Sequence, residues 1–209
     1  VKLLLVGATG LVGSHVLRLA LADDRIDSVV APSRRELPMH PKLLSPVVDF
    51  DHLPKDATWW QADALICTLG TTMSKAGSKE AFRRVDHDYP LSSGQLAKQH
   101  GTLTYVLNSA LGADASSRFF YNRVKGELER DLEKLGFSSL TYVRPGLIGG
   151  DRQEVRAGER ASVSALAWLG PFLPRRWRLN PAPKIAEALL AAAIHPVPGV
   201  HVITSERMC

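Results

Sequence analysis

Seven residues near the start of the chain restrict its fold more than any others. Gly7-Ala8-Thr9-Gly10-Leu11-Val12-Gly13 lies directly after the apolar run Lys2–Val6 and opens a helical pattern that runs from about Gly10 to Ala22. A G-x-x-G-x-x-G loop between a buried strand and a helix is a variant of the dinucleotide fingerprint. Its glycines let the backbone turn sharply and approach a pyrophosphate, and the helix N-terminus supplies unpaired N–H groups and a partial positive charge. Gly7, Thr9, Gly10, Leu11, Val12 and Gly13 are therefore the candidate phosphate cradle. The competing reading, a purely structural turn, is weakened by the loop's place between strand and helix.

The rest of the chain continues the pattern. Short apolar runs fall at Asp27–Ala31, Pro46–Asp49, Ala64–Leu69, Leu103–Ser109, Ser139–Arg144 and Val200–Ile203. Helical patterns separate them at Lys79–His100, where Pro90 should kink or interrupt the helix, at Ser117–Leu135, and at Lys184–Ile194. Strands that are apolar throughout, alternating with helices, predict an α/β chain: a Rossmann-type, doubly wound parallel sheet with helices on both faces. At 209 residues the sequence fits a single domain, 1–209, with an irregular substrate-side segment at about 149–183 that includes a short helix at Ser162–Leu169.

Composition excludes several classes. The net charge of +5 comes from largely scattered basic residues, so no nucleic-acid partner is expected. No apolar run reaches the ~18 residues of a membrane helix, and no membrane partner is expected. Lys2, the apolar stretch and Ala20-Leu21-Ala22 imitate a signal peptide, but glycines, His15 and Arg18 interrupt them. The two cysteines, Cys67 and Cys209, and the seven histidines lack metal-site spacing. This cysteine usage leads to the expectation of a reducing, cytoplasmic location.

Cofactor choice is read where the second strand ends. An acid there would meet the ribose hydroxyls of NAD, and a base the 2′-phosphate of NADP. The chain runs into Pro32-Ser33-Arg34-Arg35 before its first acid, Glu36. Ser33, Arg34 and Arg35 therefore predict NADP(H) over NAD(H), unless the arginines are only a solvated pair. Asp49-Phe50, after the third apolar run, is placed to meet the adenine.

Tyr121 and Lys125 form a Y-x-x-x-K element, and their spacing puts both on one helix face. An ammonium beside a phenol favours the phenolate, so Tyr121 could protonate a carbonyl oxygen as hydride arrives from a nicotinamide. Ser109 ends the fifth apolar run, and its hydroxyl could bond the same oxygen. The alternative is an ordinary amphipathic helix with Tyr121 half-buried and Lys125 solvated. Trp168, Phe172, Leu173 and Trp177 could shape a substrate pocket or simply pack, and Arg175, Arg176 and Arg178 could bind an acid or be solvated. Trp59-Trp60 reads as surface packing.

Together these stretches resemble the short-chain dehydrogenase/reductase superfamily in its atypical, NAD(P)-binding branch. They are most similar to the Tat-interacting-protein-like oxidoreductases. The match rests on Gly7–Gly13, Cys67-Thr68-Leu69-Gly70-Thr71-Thr72, Lys75-Ala76-Gly77, Val85-Asp86-His87-Asp88-Tyr89, Gly112-Ala113-Asp114, Tyr121–Glu127, Arg144-Pro145-Gly146 and Asp151-Arg152-Gln153-Glu154. The resemblance implies that Thr68, Leu69, Gly70 and Thr71 line the adenine-side ribose. It implies that Pro145, Gly146 and Leu147 meet the nicotinamide carboxamide, that Lys125 also holds ribose hydroxyls, and that Ser109, Tyr121 and Lys125 are the catalytic set. Asp86 stands where many relatives have asparagine, which puts their water-linked proton relay in doubt. The expectation is an NADPH-dependent reductase of a small carbonyl compound, with room for a homodimer. The alternative is a non-catalytic NADPH-binding regulator, sensor or assembly protein.

Overall fold

The computed structural model describes residues 1–149 and 179–208. Its main sheet has seven strands, all parallel, in the order β3-β2-β1-β4-β5-β6-β9. Along the chain, β1 is Lys2–Val6, α1 Leu11–Ala22, β2 Ser28–Val30, β3 Leu43–Leu44 and β4 Ala64–Cys67. Then follow α2 at Met73–Ala76, α3 at Lys79–Arg83, a π turn at Arg84–Asp88 and α4 at Tyr89–Gln99. Beyond these lie β5 at Thr104–Asn108, α5 at Phe120–Glu133 and β6 at Ser139–Arg144. Two short strands, β7 at Ile148–Gly149 and β8 at Asn180–Pro181, pair with each other. The last elements are α6 at Ala182–Ile194 and β9 at Gly199–Thr204.

Alternation along β1 shows why both faces are covered. Leu3 and Leu5 pack with Val12, Val16 and Ala20 of α1 and with Ile185 and Leu189 of α6. Leu4 and Val6 point the other way, toward Leu96 of α4 and Leu128 and Leu132 of α5. Every one of these strand side chains is fully buried. Replacing one such leucine by alanine would cost about 2–5 kcal/mol. The register sets Val6 beside Cys67, so the loops leaving β1 and β4 emerge side by side. That is where strand order reverses, the crevice in which open α/β sheets bind ligands.

The structure corrects three sequence expectations. The third strand is not Pro46–Asp49. The sheet edge pairs through Leu43 and Leu44, and beyond them only a single bridge joins Ser33 to Val47. Pro46 has no N–H to continue the ladder. The helix over Lys79–His100 is not simply kinked at Pro90. The chain widens into the π turn just before it, with Tyr89 N–H donating to the Arg84 carbonyl. Pro90 thereby falls in the first turn of α4, where its missing donor is harmless. Trp60 is not at the surface. It is fully buried, its indole donates to the Pro54 carbonyl at 2.7 Å, and Trp59 packs against it. The expected helix Ser162–Leu169, and Trp168, Phe172, Leu173, Trp177, Arg175, Arg176 and Arg178, lie outside the described residues. So do Cys209 and the stretch Asp151-Arg152-Gln153-Glu154.

Candidate functional site

The glycine loop begins where β1 ends. Gly7 has φ +94°, and a Cβ there would meet Thr68 Oγ1 at 2.7 Å and Leu69 N at 2.8 Å. A Cβ at Gly13 would collide with the Gly7 carbonyl. Close contact between β1, α1 and the β4 loop thus demands two of the three glycines. Gly10 differs, because among the described residues its Cβ would meet only the Gly7 oxygen, at 3.4 Å. Packing among the described residues does not demand that glycine. Gly10 is also the N-cap of α1, which has no side-chain cap and no acid in its first turn. Among the described residues no side chain neutralises its positive end. Leu11 and Val12 open the helix behind it, with Val12 in the core.

Beside this loop lies a cavity of about 320 Å³ lined by Thr9, Ser33, Arg34 and Arg35. Ser33 is buried and its backbone is clamped, donating to Pro46 and accepting from Val48. Arg34 and Arg35 then emerge exposed, and neither forms an ion pair among the described residues. Asp49 is turned to its own loop, accepting from the Asp51 N–H at 2.9 Å and bonding His52 at 2.8 Å. His52, followed by the Asp51 N–H, holds the Asp49 carboxyl below the usual carboxylate range. Phe50 is buried against Tyr89.

On the β4 side, Thr68 Oγ1 donates to the Val6 and Gly7 carbonyls and locks the two loops together. Leu69 is half-buried behind it. Gly70 and Thr71 follow, and the Thr71 N–H donates to Asp86 Oδ2 at 2.7 Å. The other Asp86 oxygen lies 2.9 Å from Lys125 Nζ, with both side chains at least 97% enclosed. Burial pushes the Lys125 ammonium toward the neutral amine. Asp86, then Tyr121, more than reverse this and leave its pKa above the ordinary lysine value. Tyr121, one turn earlier on α5, is 41% exposed and rests edgewise near Phe82.

Ser109 is placed differently from the other two. It is buried, and its Oγ donates to Glu129 Oε1 at 2.5 Å. Glu129 also accepts from Arg144 Nε at 3.0 Å and from Arg144 Nη2, and its hydrogen bond holds the Arg144 pKa up. The structure therefore gathers Lys125, Gly70 and Thr71 around Asp86, with Tyr121 one turn earlier on α5, while the serine hydroxyl faces the Glu129–Arg144 pair. Sequence reasoning missed Glu129. The available signal was a charged residue four after Lys125, on the face of α5 that carries Val124, Leu128 and Leu132.

After β6, backbone groups of Pro145, Gly146 and Leu147 are already engaged. The Pro145 carbonyl accepts from Leu111, the Gly146 N–H donates to Asn180 Oδ1 at 2.7 Å, and the Leu147 carbonyl accepts from the Asn180 N–H. Among the described residues no group of His, Cys, Asp and Glu could hold a metal ion, and no helix is long and apolar enough to cross a membrane.

No family model matches the chain. Individual proteins do. The chain is 37% identical over 207 residues to Protein HTATIP2 of Rattus norvegicus, covering 93% of this chain and 82% of the relative. It is 37% identical over 159 residues to Protein FMP52, mitochondrial, of Candida albicans, covering 72% and 68%. It is 31% identical over 217 residues to the protein of that name in Aspergillus niger, covering 98% and 92%. Among solved structures, MoeE5 in complex with UDP-glucose and NAD superposes with TM-score 0.70 at 17% identity, over 97% of this chain and 75% of that one. A short chain dehydrogenase family protein from Francisella tularensis gives 0.69 at 14% identity, over 99% and 98%. These two establish the fold. The fungal relatives are named mitochondrial, which overturns the cytoplasmic expectation. Cysteine usage could not separate the two locations, because few unpaired cysteines fit any reducing compartment. The shared identity across HTATIP2 and FMP52, on this seven-stranded parallel sheet, means that the chain belongs to their family, within the atypical NAD(P)-binding branch of the short-chain dehydrogenases/reductases.

Proposed function

We propose that the chain binds NADPH and reduces a carbonyl or similar small compound. One observation carries this reading: an exposed phenol, Tyr121, stands one helical turn from a buried, charged ammonium, Lys125. Such a pair has little structural use, since burying a lysine costs several kcal/mol before its partner compensates.

The residues fit a dinucleotide. Gly7, Gly10 and Gly13 with the N-terminus of α1 would hold the pyrophosphate, and the open direction at Gly10 leaves room for it. Arg34, with Ser33 and Arg35, would take the 2′-phosphate, because two guanidinia without an ionic partner among the described residues border the cavity that Thr9 also lines. Thr68 to Thr71 would line the adenine-side ribose. Asp49 is the exposed member of the pair assigned to the adenine. When bound, the nicotinamide supplies the hydride. Tyr121 gives its proton to the substrate oxygen, and the Lys125 charge stabilises the phenolate left behind.

The inward-turned Ser109 favours a second reading. A hydroxyl that already donates to Glu129 must turn away before it can donate to a substrate, and a regulator or sensor would have no need to turn it. NADPH oxidation over a panel of carbonyl compounds, beside a fluorescence titration of NADPH, separates the two. Turnover that depends on Tyr121 supports the reductase. Binding without turnover of any compound supports the regulator. A substrate that Tyr121→Phe converts at the native rate refutes the catalytic assignment.

A further inference from the structure

Asp86 is almost fully enclosed, and its two oxygens do different work. Oδ1 meets the Lys125 ammonium at 2.9 Å, and Oδ2 accepts the Thr71 N–H at 2.7 Å. A Cβ on Gly70 would sit 3.4 Å from Oδ1 and 3.9 Å from Nζ, so bare backbone covers the pair. The π turn aims this carboxylate. One extra residue in the turn rotates the downstream helix by about 100°. Asp86 and His87 both turn inward, Asp86 to Lys125 and His87 to Asp131 at 3.1 Å. A regular helix would present these neighbours differently.

We infer that Asp86 is a positioning residue: one carboxylate keeps the Lys125 ammonium charged and in place, and ties the Gly70–Thr71 loop to it before any cofactor arrives. The inference deepens the functional reading above and rests on it for the cofactor's part alone. The carboxylate bonds the ammonium directly, so the lysine is held by charge as well as by hydrogen bonding. The groups that act on Lys125 are Asp86 from the π turn, Tyr121 from its own helix and Cys67 from β4. Burial pushes the Cys67 thiol up, so it stays neutral at physiological pH. Asp86 is thus the counter-charge to the buried ammonium. Without it, desolvation acts on Lys125 with little to oppose it, and the amine loses its proton more readily.

The test uses the full chain with 15N-labelled lysine, reading side-chain ammonium signals by NMR while the pH is raised. The signal missing from Lys125→Met identifies Lys125. In the native chain this lysine should stay protonated beyond the exposed lysines. In Asp86→Asn it should deprotonate before them. Binding gives a second readout. NADPH affinity of Asp86→Asn should fall about ten-fold between pH ~7 and ~9, while native affinity holds nearly level. A mere packing role for Asp86 would not produce that pH dependence. If Asp86→Asn does not fold, the double variant Asp86→Asn/Lys125→Met, with neither charge, should fold again. A double variant that also stays unfolded means Asp86 acts through something other than Lys125 and overturns the inference, as does a Lys125 signal that Asp86→Asn leaves unmoved. A native chain that shows the NMR effect but binds no NADPH upholds the Asp86–Lys125 relation and rejects the cofactor reading.

Discussion

The glycine loop and the inner face of α5 both border the loop that leaves β4 and are finished in opposite ways. Among the described residues, polar capacity is left over at the loop: α1 has no side-chain cap, a Cβ on Gly10 meets only one atom, and Arg34 and Arg35 lack ionic partners. On α5, nearly everything charged is already matched. Lys125 has Asp86, and Glu129 has Ser109 and Arg144. Farther along, His87 lies between Asp88 and Asp131. Tyr121 is the exception, its phenol ring partly open to solvent. The contrast indicates a division of labour. A surface left unsatisfied is prepared for a charged ligand from outside. A buried network must be satisfied internally, because each unmatched group there would cost a few kcal/mol.

The largest effect should come from filling the open side. Gly10→Val should abolish NADPH binding with the fold intact, since among the described residues its Cβ meets a single atom, at ordinary van der Waals distance. Thermal melts should show a native-like apo transition and no shift with NADPH. Gly13→Ala should do the reverse and lower the apo melting point, because its Cβ collides with the Gly7 carbonyl. If both variants behaved alike, the contrast between open and packed glycines would collapse.

Next in size is Tyr121→Phe. With a substrate in hand, turnover should drop at least ~10²-fold, the lower scale for losing a general acid. NADPH affinity should barely change, because no hydrogen bond among the described residues uses the hydroxyl and Asp86 remains the main counter-charge to Lys125. A parallel loss of affinity in the titration would place the phenol in binding instead.

Arg34→Ala probes the open side at smaller scale. Native protein should prefer NADPH to NADH by at least ~10-fold, about 1.4 kcal/mol, and the variant should close that gap. Calorimetry finding no native preference would leave the two arginines as a solvated pair.

The smallest effects belong to the satisfied side. Ser109→Ala should cost ~1 kcal/mol in denaturant unfolding, because Glu129 keeps both Arg144 bonds. Acid should act there too. The Asp131 pKa is pulled down to about 2, first by Lys134 and also by His87 and Arg130. A carboxyl whose folded-state pKa is depressed stabilises the fold above its unfolded value of ~3.9, and that contribution is lost as pH falls toward ~2. Asp131→Asn should therefore flatten the loss of stability over that window. An unchanged acid limb would show that the outer network is decorative.

Much of this molecule follows from local pattern. The Lys2–Val6 and Ser139–Arg144 strands, the glycine loop between strand and helix, and the Tyr121–Lys125 spacing are all properties of a few neighbouring residues. Periodicity and backbone chemistry act over that range, so the sequence alone determined the parallel α/β layout and the elements that carry the glycine loop and the phenol. Tertiary structure decided who pairs with whom. Whether the edge strand used Leu43 or Pro46 depended on the neighbour that β2 offered and on a missing N–H. Whether Asp86 met Lys125, and whether Ser109 faced outward or toward Glu129, depended on a π turn and on helices dozens of residues apart closing to hydrogen-bond distance. A hydrogen bond or ion pair acts over about 3 Å in space and is blind to distance along the chain, so only the packed fold selects its partners.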